Sequence, residues 1–222
     1  MDPELKACMG RVLEMAQRLP RENTPESELS LEQSRVEWEK QEQRQKRQEA
    51  RRRTSLAGVP TRFLDVDAES IDEDIWNLCV EGEGGLFLHG PPGTGKTHLA
   101  IALLKNHGRM EYGSFTTVAS LLMELRDTFR NGAERSEKEI IDHYSKVQLL
   151  VLDDLGAEKT SEFALQSLYI IIDNRYSEMC QTIITSNLTV DEIAEKVGDR
   201  IASRIAGMCK VIELKGRDRR IG

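Results

Sequence analysis

Eight consecutive residues of this 222-residue chain have the spacing of a phosphate-binding loop. They are Gly90-Pro91-Pro92-Gly93-Thr94-Gly95-Lys96-Thr97, which fits G-x-x-x-x-G-K-[ST] at every defined position. The glycines let successive backbone N–H groups turn towards phosphate oxygens, and the start of the following helix adds free amides and its dipole. Lys96 supplies positive charge for the β- and γ-phosphates, and the Thr97 hydroxyl coordinates Mg²⁺. The loop therefore predicts binding of ATP together with Mg²⁺.

Two neighbouring carboxylates follow an apolar run later in the chain. Asp153 and Asp154 come directly after Leu149-Leu150-Val151-Leu152, which predicts a buried strand that ends at the acids. Asp153 is predicted to hold Mg²⁺, and Asp154 to polarise the attacking water, a task more often performed by glutamate. The alternative is that two acids simply end a strand. We therefore expect ATP hydrolysis, slow because the aspartate side chain is short.

Asn187 and two arginines are candidates for sensing or stabilising the γ-phosphate. Asn187 ends a further apolar run, where its amide could hydrogen-bond the attacking water; alternatively, it caps a helix that begins near Thr189. Arg200 and Arg204 lie four residues apart on one predicted helix face. A guanidinium reaching a neighbouring subunit's γ-phosphate would stabilise transition-state charge, although spacing alone favours ordinary surface arginines.

Composition excludes several other classes of protein. Charged residues make up 31% of the chain, and no run approaches the roughly 20 apolar residues of a membrane span. The first residues lack the pattern of a secretory signal, so we expect a cytoplasmic protein with no membrane partner. The four cysteines are too far apart for a zinc or redox motif. A net charge of −7 argues weakly against a surface built for duplex DNA.

Alternating strand and helix patterns after Leu56 predict a parallel α/β sheet between helices. Strands are predicted at 85–89, 114–118, 148–153, 181–186 and 210–214. Helices are predicted near 96–107, 119–131, 136–145, 161–179 and 190–206.

Residues 1–53 differ in composition and are predicted to form a separate helical region. A short amphipathic helix is predicted up to about Pro20, followed by a polar linker over 21–29. Ser30 is then predicted to cap a second helix that runs to about Arg53 with hardly any apolar face. Such a region has too little core for catalysis, so we predict an adaptor for a partner, with the catalytic domain at 54–222.

Over about residues 54–220 the chain resembles the AAA+ ATPases, and within them the DnaC/IstB family of helicase loaders and transposition ATPases. The segments that carry the resemblance, beside the phosphate loop, are Leu56–Phe63, Asp127–Asn131, Leu150–Gly156 and Thr185–Leu188. The resemblance implies a P-loop AAA+ fold of the ASCE type with a five-stranded parallel sheet. Because the sequence ends eight residues after the last predicted strand, we expect little or no C-terminal helical lid.

The same resemblance implies further nucleotide contacts. Val59 and Pro60 would lie against adenine, and His98 would join the nucleotide-binding residues beside the loop. Arg204 matches the position of the arginine finger, with Arg200 auxiliary. Arg220 would be the second sensor, although Arg219 is only one register away.

A DNA-binding surface is also implied by the resemblance. Residues 117–142 match an insertion that lines the pore of assembled rings, and Phe129 and Ser161 match positions that face single-stranded DNA. A base stacked on Phe129, with Arg130 near the phosphates, would give sequence-tolerant binding. The alternative is that Phe129 belongs to the core, since it continues the helical spacing of Leu121, Leu122 and Leu125.

The function implied first is an ATP-dependent loader of a hexameric, DnaB-type replicative helicase onto single-stranded DNA. It would self-associate into a ring or spiral on the helicase, and a short loader of this kind would suit a phage or prophage. The second interpretation is a transposition regulator acting on duplex DNA. A P-loop small-molecule kinase would need a lid and an acceptor pocket, neither of which is evident, and a non-hydrolysing interaction module would follow if Asp154 fails as a base.

Overall fold

The computed structural model describes residues 25–66, 68–80, 84–106, 113–130, 132–158, 161–216 and 218. The chain divides into two compact units, residues 1–49 and 50–222. The amphipathic helix predicted before Pro20 lies outside the described residues. No helix in the described ranges is both long enough and apolar enough to cross a membrane.

Helix α1 spans Pro25–Leu56, and the predicted boundary between residues 53 and 54 falls inside it. The predicted linker over 21–29 is wrong for residues 25–29, which are helical, and Ser30 is therefore not the N-cap. Proline is favoured in the first turn of a helix, where its missing N–H has no partner to lose. Ion pairs on its surface join residues one helical turn apart, such as Arg35 with Glu39 (3.3 Å) and Lys46 with Glu42 (2.7 Å). Each pair stabilises the helix by only about 0.3 kcal/mol.

Five parallel strands form one sheet in the order β2-β3-β4-β1-β5. Their bounds are Gly85–His89 (β1), Gly113–Thr117 (β2), Leu149–Asp153 (β3), Gln181–Ser186 (β4) and Cys209–Glu213 (β5). Each lies within one residue of its prediction, so the α/β class is confirmed. The segment after β1 and the segment after β3 flank the end of β4, which places the phosphate loop, the acids and Asn187 at one edge of the sheet.

Seven α-helices in the described ranges follow α1 and cover both faces of the sheet. They are Glu73–Val80 (α2), Lys96–Asn106 (α3), Val118–Asp127 (α4), Glu137–Lys146 (α5), Glu162–Ser177 (α6), Val190–Val197 (α7) and Asp199–Met208 (α8). One core packs α4 to α8 against the sheet, and a second core packs α2 and α3 against the other face. Both faces of the central strands β1, β3 and β4 are therefore buried, as expected for parallel strands covered by helices on both sides.

Two predicted helices differ from the structure. The helix predicted over 190–206 is two helices, because Gly198 adopts φ +121°, which a helix cannot continue through. The helix predicted over 119–131 ends at Asp127. Phe129 therefore lies beyond the helix, out of register with the buried Leu121, Leu122 and Leu125.

Candidate active site

The phosphate loop joins β1 to α3 in a conformation that requires glycine. Gly93 has φ +79°, a left-handed value that side chains rarely adopt. A β-carbon at Gly93 would also overlap the carboxylate of Asp218, and one at Gly90 would meet the carbonyl oxygen of Leu214. The segment that follows β5 therefore packs directly on the loop.

Lys96 is buried inside this loop, at the first turn of α3. Its Nζ donates hydrogen bonds to the carbonyl oxygens of Gly90 and Pro91, both at 2.8 Å. The loop backbone therefore holds the ammonium in place before any phosphate binds.

Thr97 and Asp153 meet although 56 residues separate them. The Thr97 hydroxyl donates to Asp153 Oδ1 at 2.9 Å, with Oδ2 at 3.2 Å. Burial raises the pKa of Asp153 above its usual value. Hydrogen bonds from Thr185 and Thr97 offset only part of this increase. A hydroxyl oxygen beside a carboxylate is the hard oxygen donor set that Mg²⁺ binds together with nucleotide phosphates, so these residues fit the ion.

Asp154 has a left-handed backbone, with φ +60°. Aspartate is among the few non-glycine residues that tolerate this conformation. Its N–H donates to Thr185 Oγ1 at 3.0 Å, and the next N–H, of Leu155, donates to the carbonyl oxygen of Thr185 at 2.9 Å. The turn directs the two adjacent acids differently: Asp153 is buried and Asp154 is exposed.

A cleft of about 380 Å³ brings together most of the predicted phosphate-site residues, but Gly90, Pro91, Thr94 and Asp153 do not line it. It is lined by Arg62, Phe63, Pro92, Gly93, Gly95, Lys96, Thr97, His98, Asp154 and Asn187. Arg62 and Phe63 were not predicted as site residues, although they end the Leu56–Phe63 segment on which the resemblance rests. Val59 is buried and its N–H donates to the carbonyl oxygen of Thr54, whereas Pro60 is exposed; neither lines the cleft.

Asn187 follows β4, is exposed and faces this cleft. The N-cap of α7 is Thr189, whose side chain accepts from the Glu192 N–H while Glu192 accepts from the Thr189 N–H. Helix capping is thus performed by Thr189, and Asn187 lines the same cleft as Asp154 instead.

Arg204 and Arg200 lie on α8 and do not line the cleft of their own chain. Arg204 Nε donates to Asp173 Oδ1 at 2.6 Å, and its guanidinium lies 4.7 Å from the Tyr176 ring centroid. Arg200 lies 5.9 Å from the Tyr169 ring centroid. Both arginines therefore belong to a surface formed with α6. Arg219 and Arg220 lie outside the described residues.

Phe129 is not a core residue: 66% of its surface is exposed, and the core interpretation is wrong. Its ring makes an edge-to-face contact with Phe163, with centroids 5.2 Å apart. Arg130 pairs with Asp127 at 3.2 Å, and Ser161 caps α6 by accepting from the Ala164 N–H. The contact with Phe163 brings the segment after α4 next to the start of α6, so the three residues predicted to bind DNA lie in neighbouring segments.

Comparison with known sequences gives one family and several relatives. The family described as IstB-like ATP binding protein matches residues 26–221. The replicative helicase loader DnaC of Escherichia coli K12 is 33% identical over 119 residues, which are 52% of this chain and 47% of that protein. The DnaC of Buchnera aphidicola subsp. Acyrthosiphon pisum is 30% identical over 141 residues, covering 62% and 53%. The chain thus spans about half the length of these curated relatives.

Solved structures share the same fold. A crystal structure of DnaI superposes with a TM-score of 0.61 at 27% identity, over 76% of this chain and 99% of that one. A crystal structure of the DnaC helicase loader superposes with a TM-score of 0.60 at 24% identity, over 70% of this chain and 100% of that one. The latter identity is low enough that the likeness concerns the fold alone.

Proposed function

Because the chain belongs to the IstB-like ATP-binding protein family and has the AAA+ fold, we propose that it hydrolyses ATP in the cleft beside Lys96. The observation that carries the proposal is the junction of four groups at one sheet edge. Thr97 contacts Asp153, and Asp154 and Asn187 line the same cleft as Lys96 and Thr97. A phosphate-binding fold without hydrolysis would have no need for the last two groups there.

In the proposed reaction, the loop amides and Lys96 bind the β- and γ-phosphates. Thr97 and Asp153 would hold Mg²⁺, which when bound offsets the charge that develops on the phosphates. Asp154 accepts a proton from the attacking water, and the Asn187 amide orients that water or the γ-phosphate. Arg204, which faces away from its own cleft, is proposed to reach the γ-phosphate of a neighbouring subunit, with Arg200 auxiliary, in a ring or spiral assembly.

Asp154→Asn tests this chemistry. We expect ATP affinity close to wild type, because asparagine also tolerates the left-handed backbone, and turnover lower by about 100-fold, because the amide cannot accept the proton. The measurement is phosphate release under saturating Mg²⁺–ATP, alongside binding of a fluorescent ATP analogue. Asp142→Asn, which alters a surface pair with Lys146 (3.3 Å), is the matched control and should behave as wild type. Unchanged turnover in Asp154→Asn would exclude Asp154 as the base.

We further propose that the ATPase loads a hexameric replicative helicase of the DnaB type onto single-stranded DNA. Support comes from the 33% identity to the E. coli replicative helicase loader. Residues 1–53 would dock the helicase, since the described part of α1 before Ala50 presents exposed or half-exposed polar side chains over most of its length. Phe129, Arg130 and Ser161 would contact the single strand. A transposition regulator on duplex DNA is the second candidate, favoured by the description of the family as IstB-like.

A pull-down with the immobilised host replicative helicase distinguishes a helicase loader from a transposition regulator. We expect the immobilised helicase to retain the full-length chain with ATP and to lose a chain of residues 54–222. Equal ATP binding by both chains is the control, since the phosphate loop lies wholly in the second unit. The full-length chain should also prefer single-stranded to duplex DNA. If the helicase retains neither chain, and ATP drives assembly on duplex DNA, the transposition candidate replaces the loader.

A further inference from the structure

Thr185 links the two acids of the cleft although it lies on a different strand from them. It belongs to β4, and its side chain is fully buried. Its hydroxyl oxygen lies 2.6 Å from Asp153 Oδ1 and 3.0 Å from the backbone nitrogen of Asp154. One small side chain therefore touches both the carboxylate proposed to hold Mg²⁺ and the backbone of the proposed base.

The direction of both hydrogen bonds follows from chemistry. The Asp154 N–H can only donate, so the Thr185 oxygen accepts from it. The single hydroxyl proton is then left for Asp153 Oδ1, and a bond to a charged acceptor is the stronger kind. The order of donation is thus Asp154 N–H to Thr185 to Asp153.

Asp153 Oδ1 receives a second hydrogen bond from Thr97 at 2.9 Å. The two hydroxyls hold the carboxylate in an orientation that accepts the Thr97 proton. A Thr97 oxygen that donates its proton to Asp153 keeps its lone pairs for a cation. Loss of the Thr185 bond would free the carboxylate to rotate away from Thr97.

The same hydroxyl supports the left-handed turn at Asp154. A non-glycine residue in that region is strained, so neighbouring contacts must hold it. Thr185 does so twice, because its hydroxyl accepts from the Asp154 N–H and its carbonyl oxygen from the Leu155 N–H. The turn is what carries Asp154 out to the cleft while Asp153 stays buried.

We infer that Thr185 is a positioning residue for ATP hydrolysis, which sets both the Mg²⁺-facing carboxylate of Asp153 and the backbone turn that presents Asp154. The inference rests on the proposed hydrolysis at this cleft. The role is assigned to the hydroxyl, because Thr185 Oγ1 itself makes the contacts with Asp153 Oδ1 and with the Asp154 N–H. Valine has the same shape as threonine but no hydroxyl. A valine substitution therefore tests the hydroxyl separately from the packing of the side chain.

The test compares Thr185→Val with Thr185→Ser in the full-length chain, measuring binding of a fluorescent ATP analogue with Mg²⁺ and with EDTA. For Thr185→Val we expect wild-type binding in EDTA, where Lys96 and the loop amides act alone. With Mg²⁺, the cation concentration for half-maximal binding should rise about tenfold, as expected for loss of a hydrogen bond to a charged group. The turnover number should fall with little change in KM. Thr185→Ser, which keeps the hydroxyl, should show the wild-type Mg²⁺ concentration for half-maximal binding and the wild-type turnover number.

Thr182→Val is the matched control. Thr182 is on the same strand and equally buried, but its hydroxyl accepts from Arg175 Nε at 2.9 Å, away from the acids. It should lower thermal stability and leave the Mg²⁺ dependence unchanged. If Thr185→Val does not melt cooperatively, Thr185→Cys takes its place, since it differs from Thr185→Ser only by a weakly donating thiol where serine has the hydroxyl.

Three outcomes would contradict the positioning role of Thr185, the part played by its hydroxyl, or the proposed ATP hydrolysis. Wild-type Mg²⁺ dependence and turnover in Thr185→Val would refute the positioning role and leave the proposed ATPase standing. A Thr185→Ser variant as impaired as Thr185→Val would assign the effect to packing. If the wild-type chain neither binds nor hydrolyses Mg²⁺–ATP, the proposed function fails, and the inference fails with it.

Discussion

Lys96→Ala is expected to weaken ATP binding by about 100-fold, which corresponds to about 3 kcal/mol for a charge-assisted contact with phosphate. The Nζ of Lys96 is buried in the loop, and two backbone carbonyls hold it at 2.8 Å. A held charge loses little side-chain entropy when the phosphates arrive. Removing it takes away the cation while leaving the glycine backbone of the loop intact.

Titration calorimetry with ATP on the purified chain measures this change. Lys146→Ala is the matched control, since Lys146 lies on α5 in an exposed pair with Asp142 at 3.3 Å. Lys96→Arg should also bind weakly, because a planar guanidinium does not fit a pocket shaped for an ammonium. ATP affinity of Lys96→Ala equal to that of the control variant would contradict the assignment of the loop as the phosphate site.

Arg175→Met is expected to lower the free energy of unfolding by at least about 4 kcal/mol, enough for the melting temperature to fall by roughly 10 °C. The Arg175 side chain is fully buried at the end of α6. Its guanidinium donates to carbonyl oxygens of Tyr144, Ser145, Val147 and Gln181 and to the Thr182 hydroxyl, at 2.6 to 3.3 Å. Burial lowers the pKa of Arg175 to about 10.

The cost arises because methionine fills the space but leaves these buried oxygens without donors. These oxygens belong to residues at the end of α5 and the start of β4. Arg175, which lies on α6, therefore connects three elements by hydrogen bonds. Urea denaturation followed by circular dichroism measures the loss. Arg130→Met, which removes an 80% exposed side chain, should change stability by less than about 0.5 kcal/mol. A similarly small change in Arg175→Met would mean that water replaces the guanidinium.

The phosphate loop and the acids were predictable because their chemistry is local in sequence. The loop needs a strand before it and a helix after it, and both are found at Gly85–His89 and Lys96–Asn106. Asp153 ends an apolar strand, and a buried acid in that place has few other uses. Strands β1 and β3 were predictable for the same reason, since their short length and their flanking residues favour a buried strand over a helix.

The predictions of helix boundaries that the structure contradicts involve residues whose effect depends on backbone conformation. The periodicity of 190–206 continues through Gly198, so nothing in the apolar pattern marks the break that φ +121° imposes. Phe129 continues the spacing of α4, yet the helix ends two residues earlier and the ring turns outward onto Phe163. Residues 25–29 were predicted as part of a polar linker, yet they are helical, because proline is well tolerated in a first turn.

The sequence alone predicted the candidate nucleotide site, from Gly90 to Thr97 with Asp153 and Asp154. Only the tertiary structure decided which residues hold that chemistry in place. Thr185 lies 32 residues from Asp153 and meets it because β4 lies beside β3 in the sheet, and Arg175 meets the end of α5 because α6 packs there. Strand order and helix packing are set by burial over the whole chain, so no local pattern can encode which buried hydroxyl or guanidinium finds which acceptor.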